Sequence, residues 1–140
     1  MRGFIFALLF SVPFLVNGQT AKLAQRYFYD GEYEKAAELY KKLSQQNARN
    51  DYYFDRYTDC LLQLEDYVTA EKAISKQIKL FPENVRLYVS YGKLKEAQYE
   101  DEAAQEYYSK AINRLTGNRN QIIRLANVFS TNSKYDLAIA

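Results

Sequence analysis

The sequence predicts an all-α fold in which antiparallel helix pairs stack into a solenoid. Three observations predict it. Residues of the same kind recur every 34 positions, apolar residues within each period follow helical spacing, and Pro and Asn fall between the helical runs. A period of this length is typical of architectures in which each unit buries its apolar face only against its neighbours.

The repeat is clearest in columns of residues that are separated by 34 positions. One column holds Ala, one Tyr, one large apolar residues and one Asn: Ala36, Ala70, Ala104 and Ala138; Tyr33, Tyr67 and Tyr135; Leu23, Tyr57, Tyr91 and Leu125; Asn50, Asn84 and Asn118. A fifth column holds small residues, and a sixth holds mostly bulky ones: Ala24, Thr58, Gly92 and Ala126; Thr20, Phe54, Tyr88 and Ile122. Small residues let two helix backbones approach closely, and bulky ones fill the space to the next pair.

Two helices are predicted within each period. In residues 51–84, apolar residues recur at three- and four-residue steps on both sides of a turn at Glu65 and Asp66, which gives each run one apolar face. The predicted helices cover residues 20–30, 33–46, 51–64, 67–80, 85–97, 101–115 and 119–131.

Asn and Pro mark the boundaries between periods. The Asn column lies between units, where Asn either ends one helix in the left-handed conformation or caps the start of the next. Pro82 follows a predicted second helix and is a stop signal.

The first 18 residues have the composition of a secretory signal peptide. A short basic head with Arg2 precedes an apolar run from Phe4 to Val16, and Gly18 suits the residue before a cleavage site. The run is short for a spanning helix, which needs roughly 20 apolar residues. We therefore expect residues 1–18 to be removed and residues 19–140 to form the exported solenoid.

Composition argues against catalysis and against nucleic acid. The chain has no His, so it lacks the usual general base and the usual zinc ligand, and its net charge of +2 is too small for a basic nucleic-acid surface. Cys60 is the single cysteine, which excludes an internal disulfide, and it lies in a helix column where a buried thiol is expected. The sequence thus predicts no enzyme activity, cofactor, metal site or nucleic-acid partner.

These columns resemble the tetratricopeptide repeat (TPR) family over residues 17–140. Residues 51–84 match its pattern best, and the other units are 17–50, 85–118 and a partial fourth, 119–140. The resemblance implies a right-handed superhelical solenoid with three full repeats. The third unit departs from the pattern at Lys95 and Asp101, and we expect an altered turn there with Tyr99 covering the gap.

The resemblance also implies where a partner binds. In this family the first helix of each unit lines a concave face that holds peptides or helices. The expected lining columns are Ala21, Asp55, Val89 and Ile123; Lys22, Arg56, Ser90 and Arg124; Gln25, Asp59, Lys93 and Asn127; with Tyr52, Arg86 and Asn120 at the edge. From these the predicted partner-binding residues are Tyr52, Asp55, Arg56, Asp59, Arg86, Lys93, Asn120, Arg124 and Asn127.

The chaperone-binding members of the family grip a peptide's C-terminal carboxylate with Lys and Asn, then Asn, then Lys and Arg. The matching positions here are Ala21 and Gln25, then Arg56, then Arg86 and Ser90, so this clamp is not predicted. The basic residues Arg56, Arg86, Lys93 and Arg124 leave an acidic peptide as a hypothesis.

The primary hypothesis is an exported scaffold, periplasmic or secreted, that binds a protein or peptide. By resemblance to exported TPR proteins of Gram-negative bacteria, in particular Bacteroidota, it would serve envelope assembly or secretion. The alternative is the recognition arm of a longer enzyme or cell-wall-binding protein, because the sequence stops soon after Tyr135 begins a helix and we expect more chain beyond Ala140. End-to-end self-association is a third possibility.

Overall fold

The computed structural model describes residues 12–48, 50–115, 122, 123, 126 and 127, and this part of the chain contains helices and turns but no strand. Its helices are α1 (Val12–Tyr29), α2 (Tyr33–Gln46), α3 (Asp51–Gln63), α4 (Tyr67–Leu80), α5 (Val85–Ala97) and α6 (Asp101–Asn113). Residues 122, 123, 126 and 127 are also helical, and the rest of the predicted seventh helix lies outside the described residues. The prediction of an all-α repeat fold is confirmed.

The helix boundaries follow the predictions closely except at the start of α1. Helices α2, α4 and α5 have the predicted bounds, and α3 and α6 end one and two residues early. Helix α1 begins at Val12 instead of residue 20, so it includes part of the predicted signal segment. Pro13 is tolerated in a first turn, where its missing N–H has no intrahelical acceptor, and one Gly is too weak a breaker to end a helix.

Of the two roles predicted for the Asn column, capping the start of the next helix is the one observed, at two of the three positions. The Asn50 side chain accepts a hydrogen bond from the Tyr52 backbone N–H at 3.1 Å, and the Asn84 side chain accepts one from the Arg86 N–H at 3.2 Å. Asn118 lies outside the described residues. Pro82 follows the end of α4 as expected.

Asp66 caps α4 through its carboxylate, which accepts a hydrogen bond from the Thr69 N–H at 3.1 Å. The hydrogen bond to Thr69 lowers the pKa of Asp66, because it stabilises the charged form. The turn predicted at Glu65 and Asp66 is thereby confirmed.

The described residues form two compact units that meet in sequence between Leu64 and Glu65. The first unit contains α1, α2 and α3. Its buried residues include Ala24, Ala36, Tyr40, Leu43 and Cys60.

The second unit contains α4, α5 and α6, and its core lies between the last two. The buried residues of this core are Val85, Tyr88, Val89, Ala104, Tyr108 and Ala111. A Cβ atom added at Gly92 would lie 2.2 Å from Cε1 of Tyr108, so no larger residue fits at this crossing. The small-residue column thus has the predicted role in α5.

One prediction about the third repeat is wrong. Tyr99 does not cover a gap, because 93% of its surface is exposed. Lys95 is the residue that packs there: its side chain is mostly buried, and its ammonium group lies 3.2 Å from a Glu100 carboxylate oxygen and 5.9 Å from the Tyr91 ring centroid. A long Lys stem can pack at an apolar position while its charge reaches a partner at the edge.

Three turns place a residue in the left-handed conformation at the same repeat position. These residues are Gly31 (φ 77°), Glu65 (φ 56°) and Tyr99 (φ 62°). In the first and third turns the next N–H bonds back to the carbonyl five residues earlier, Glu32 to Tyr27 at 2.8 Å and Glu100 to Lys95 at 2.9 Å. This is the Schellman ending of a helix, in which Gly has no steric cost and Tyr has one.

We expect Tyr99→Gly to raise the free energy of unfolding by about 1 kcal/mol, because it relieves left-handed strain and removes a side chain without packing. Urea unfolding followed by circular dichroism measures this change. Tyr29→Gly is the matched control, since Tyr29 is also exposed but ends α1 in helical conformation. The control should lose about 0.5–1 kcal/mol, and a loss in both variants would contradict the strain at Tyr99.

Candidate functional site

Helix α3 carries four of the predicted partner-binding residues on one face. Counted from Tyr52, the others follow after three (Asp55), four (Arg56) and seven (Asp59) residues, so all four side chains leave the helix on the same side. Tyr52 is 46% exposed, and the other three are partly buried. The structure therefore brings this part of the predicted set together.

Arg56 is held from several directions within the first unit. Its Nη2 lies 3.1 Å from Oδ2 of Asp59, and the two side chains are only 31% and 15% exposed. Its guanidinium carbon lies 5.1 Å from the Phe28 ring centroid and 5.7 Å from that of Tyr52. A cation between two rings and a carboxylate has little freedom to move.

The aromatic contacts continue inward from Arg56 to Tyr40. The Tyr40 ring centroid lies 6.5 Å from that of Phe28 and 6.4 Å from that of Tyr52, in both cases edge to face. Phe28 comes from α1, Tyr40 from α2, and Tyr52 and Arg56 from α3. We call these four residues the Arg56 cluster.

Sequence reasoning missed Phe28 and Tyr40 as members of this cluster. Tyr40 had a signal, because Tyr40, Ile74 and Tyr108 form another column with a step of 34 and all three are buried. Phe28 had none, since Leu62 and Glu96 occupy its equivalent positions.

Cys60 lies in the same unit and is fully buried, as predicted. Burial raises the pKa of its thiol to about 12, and the nearby Asp59 adds to this effect. The thiol therefore stays protonated at neutral pH, which makes it a packing group with little nucleophilic reactivity.

The remaining predicted binding residues lie on α5 or later. Arg86 and Lys93 are one helical heptad apart on α5 and are partly buried. Asn127 is exposed on a helical backbone, whereas Asn120 and Arg124 lie outside the described residues.

Two residues expected to line the concave face are instead buried. Val89 is part of the core with Ala104 and Tyr108, and Ser90 is turned onto its own helix, where its hydroxyl donates to the Arg86 carbonyl at 3.2 Å. The expectation for Val89 and Ser90 is therefore wrong. An apolar Val gains more by burial in the core than in a polar groove.

The described ranges hold no group of three or more His, Cys, Asp or Glu side chains that could bind a metal ion. No helix among them is long and apolar enough to span a membrane.

The fold is similar to that of a solved TPR domain. The first TPR of Spaghetti (RPAP3), bound to the HSP90 peptide SRMEEVD, superposes with a TM-score of 0.56 and 17% sequence identity, over 84% of this chain and 93% of that one. No protein-family model matches the sequence. No curated protein matches it either. The class that fold and repeats define is thus a helical repeat domain with the TPR fold.

The first site prediction concerns the stability of the Arg56 cluster. We expect Arg56→Ala to lower the free energy of unfolding by about 1–3 kcal/mol, because it removes two ring contacts and leaves the mostly buried Asp59 carboxylate without this cation. Chemical denaturation of the variant measures the loss.

The matched control is Lys110→Ala, which removes a pair with Glu106 at 2.5 Å and a contact with the Tyr107 ring at 4.4 Å, both near solvent. Water and salt screen this pair, so a loss of at most about 1 kcal/mol is expected. Equal losses in the two variants would contradict the buried character of the Arg56 cluster.

Proposed function

We propose that this chain is a binding scaffold for a protein or peptide partner and that the α3 face is a principal contact surface. The observation that carries the proposal is the fold it shares with a TPR domain that was solved with a peptide bound. The α3 face adds a chemical reason, because it offers an exposed Tyr beside an Arg that is already fixed in place.

The Arg56 cluster suits binding because its side chains are ordered before a partner arrives. Tyr52 contacts both Tyr40 and Tyr53, at centroid distances of 6.4 and 5.7 Å, and still exposes nearly half of its surface. Tyr and Arg are the residues that most often dominate binding energy, and prior ordering reduces the entropy lost on binding. Tyr52 is therefore the proposed anchor.

Helix α5 is the proposed second contact surface. Arg86 and Lys93 give it two cations on one side, which favours carboxylates in the partner. We include Asn120, Arg124 and Asn127 from the sequence prediction, with only Asn127 among the described residues.

Peptides that end in the HSP90 sequence are not the proposed ligands. The solved neighbour binds SRMEEVD, but Ala21, Gln25 and Ser90 stand at three of the positions where chaperone-binding members carry clamp residues. Without those donors a terminal carboxylate lacks most of its grip. The proposal assigns the chain no catalytic role.

The test is selection of binders from a phage-displayed library of random 12-residue peptides, followed by fluorescence-polarisation measurement with the chain. We expect Tyr52→Ala to weaken binding of a selected peptide by about tenfold, as loss of one anchor does. Tyr29→Ala is the control, because Tyr29 is an exposed aromatic at the end of α1. Equal effects of both variants, or no selected peptide, would count against the proposal.

The cellular setting belongs to the proposal as well. The basic head, apolar run and Gly18 support export to the periplasm or the exterior of a Gram-negative cell, with a role in envelope assembly or secretion. Expression in such a cell, followed by fractionation and N-terminal sequencing, should give a periplasmic chain that begins at or near Gln19. A cytoplasmic chain that retains Met1 would exclude this setting.

A recognition arm within a longer protein is the alternative proposal. The downstream reading frame discriminates the two: further Ala and Tyr columns every 34 residues favour the scaffold, and catalytic or cell-wall-binding motifs favour the arm.

A further inference from the structure

Four side chains of the Arg56 cluster form a closed circuit. Phe28 contacts Tyr40, Tyr40 contacts Tyr52, and the Arg56 guanidinium contacts both Tyr52 and Phe28, with separations of 6.5, 6.4, 5.7 and 5.1 Å in that order. Three helices contribute to the circuit, so its shape is fixed by the packing of the first unit. Tyr52 is its most exposed member.

Two polar atoms of this circuit are buried without a hydrogen-bond partner in the described part of the chain. They are the Tyr40 hydroxyl oxygen and Nε of Arg56. Tyr40 is 1% exposed. Leaving such a group unpaired costs about 1–3 kcal/mol, so buried polar groups in folded proteins nearly always have a partner.

The Tyr40 hydroxyl can serve as a donor throughout the neutral range. Burial raises the pKa of Tyr40, the adjacent Tyr52 phenol raises it further, and the Arg56 charge opposes them. The phenol therefore keeps its proton. Tyr52 raises this pKa partly through a weak hydrogen-bond interaction with Tyr40, but by distance and angle the Tyr40 hydroxyl has no hydrogen-bond partner in the described part of the chain.

The Nε–H of Arg56 can only donate, whereas the Tyr40 hydroxyl can donate or accept, so an acceptor is the single group that can pair with both. The charge of this acceptor is limited by Asp59. The Asp59 carboxylate lies 3.1 Å from Nη2 of Arg56 and already neutralises the guanidinium. A second carboxylate at this place would face Asp59 in a poorly hydrated site, where like charges repel strongly. A neutral oxygen meets both donors without that repulsion.

We propose that the Tyr40 hydroxyl and Nε of Arg56 together bind an uncharged carbonyl oxygen of the partner, a main-chain carbonyl of an extended peptide that lies against Tyr52. The inference rests on the proposed function and specifies the chemistry that its α3 face recognises. It replaces the hypothesis that Arg56 binds an acidic group of the partner. Acidic groups of the partner are assigned to Arg86 and Lys93 instead.

Tyr40→Phe tests this assignment because it removes one oxygen and keeps the ring. In the free chain we expect a urea midpoint equal to or above that of the wild type, since no hydrogen bond is lost. Binding of a library-selected 12-residue peptide should weaken by about 3- to 10-fold, the usual effect of one hydrogen bond.

Tyr108→Phe is the matched control. Tyr108 is as buried as Tyr40, but its hydroxyl donates to a Glu96 carboxylate oxygen at 2.8 Å. This control should lower the urea midpoint and leave peptide affinity unchanged. A lowered midpoint in Tyr40→Phe with unchanged affinity would overturn the proposal, because the hydroxyl would then have an internal partner such as Tyr52 or a buried water.

A second measurement uses small probes and the whole chain. Titration of ¹⁵N-labelled chain with N-methylacetamide should shift the side-chain Nε–H signal of Arg56, and the shift should be reduced in Tyr40→Phe. Sodium acetate should leave that signal in place, and a larger shift with acetate would overturn the neutral acceptor. If no peptide is selected but N-methylacetamide shifts the signal, the scaffold proposal fails and the acceptor site stands.

Discussion

The close crossing of neighbouring helices at small side chains is the constraint on which the rest of this structure depends. At Gly92 the room is so small that an added Cβ would fall 2.2 Å from the Tyr108 ring. The Ala residues at 24, 36, 70 and 104 are completely buried. Because backbones meet closely at these points, large aromatic side chains from the next helix fill the remaining space, and their hydroxyl groups become buried with them.

The two compact units differ in how these buried hydroxyl groups are hydrogen-bonded. In the second unit Tyr108 donates to Glu96, and Tyr91 donates to Glu71 at 2.5 Å, so the aromatic core is internally satisfied. In the first unit Tyr40 occupies the column position of Tyr108 but lacks such a carboxylate. The same repeat position thus holds a hydroxyl paired with Glu96 in one unit and a hydroxyl without a hydrogen-bond partner among the described residues in the other, which is why the proposed binding chemistry centres on Tyr40 and Arg56.

Much of the fold could be predicted because local rules and the repeat agree. Helix periodicity predicts α2, α4 and α5. The positions of Asn50 and Asn84 predict a role at a helix boundary, either ending one helix or capping the next, and the structure shows the cap. The left-handed turn at Tyr99 could not be predicted, because Tyr has no preference for that conformation. The only sequence signal for it is that Tyr99 occupies the same repeat position as Gly31. The start of α1 could not be predicted either, because the apolar run favours a longer helix and a single Gly opposes it only weakly.

The candidate site could be predicted only along α3. Helical spacing placed Tyr52, Arg56 and Asp59 on one face, but it gave no contact between helices. Phe28 reaches Arg56, and Tyr40 reaches Phe28 and Tyr52, through tertiary packing. The burial of Val89 follows from the same kind of packing in the second unit. Sequence periodicity fixes which side of a helix a residue lies on, whereas neighbouring helices decide which of those residues stay exposed.

The measurement that tests the central claim most directly is a crystal structure of the chain with a selected peptide bound. The account predicts a peptide carbonyl oxygen within hydrogen-bond distance of both the Tyr40 hydroxyl and Nε of Arg56, with the adjacent peptide side chain against Tyr52. A peptide bound elsewhere, with the Arg56 cluster unchanged and its two donors joined to a buried water, would contradict it.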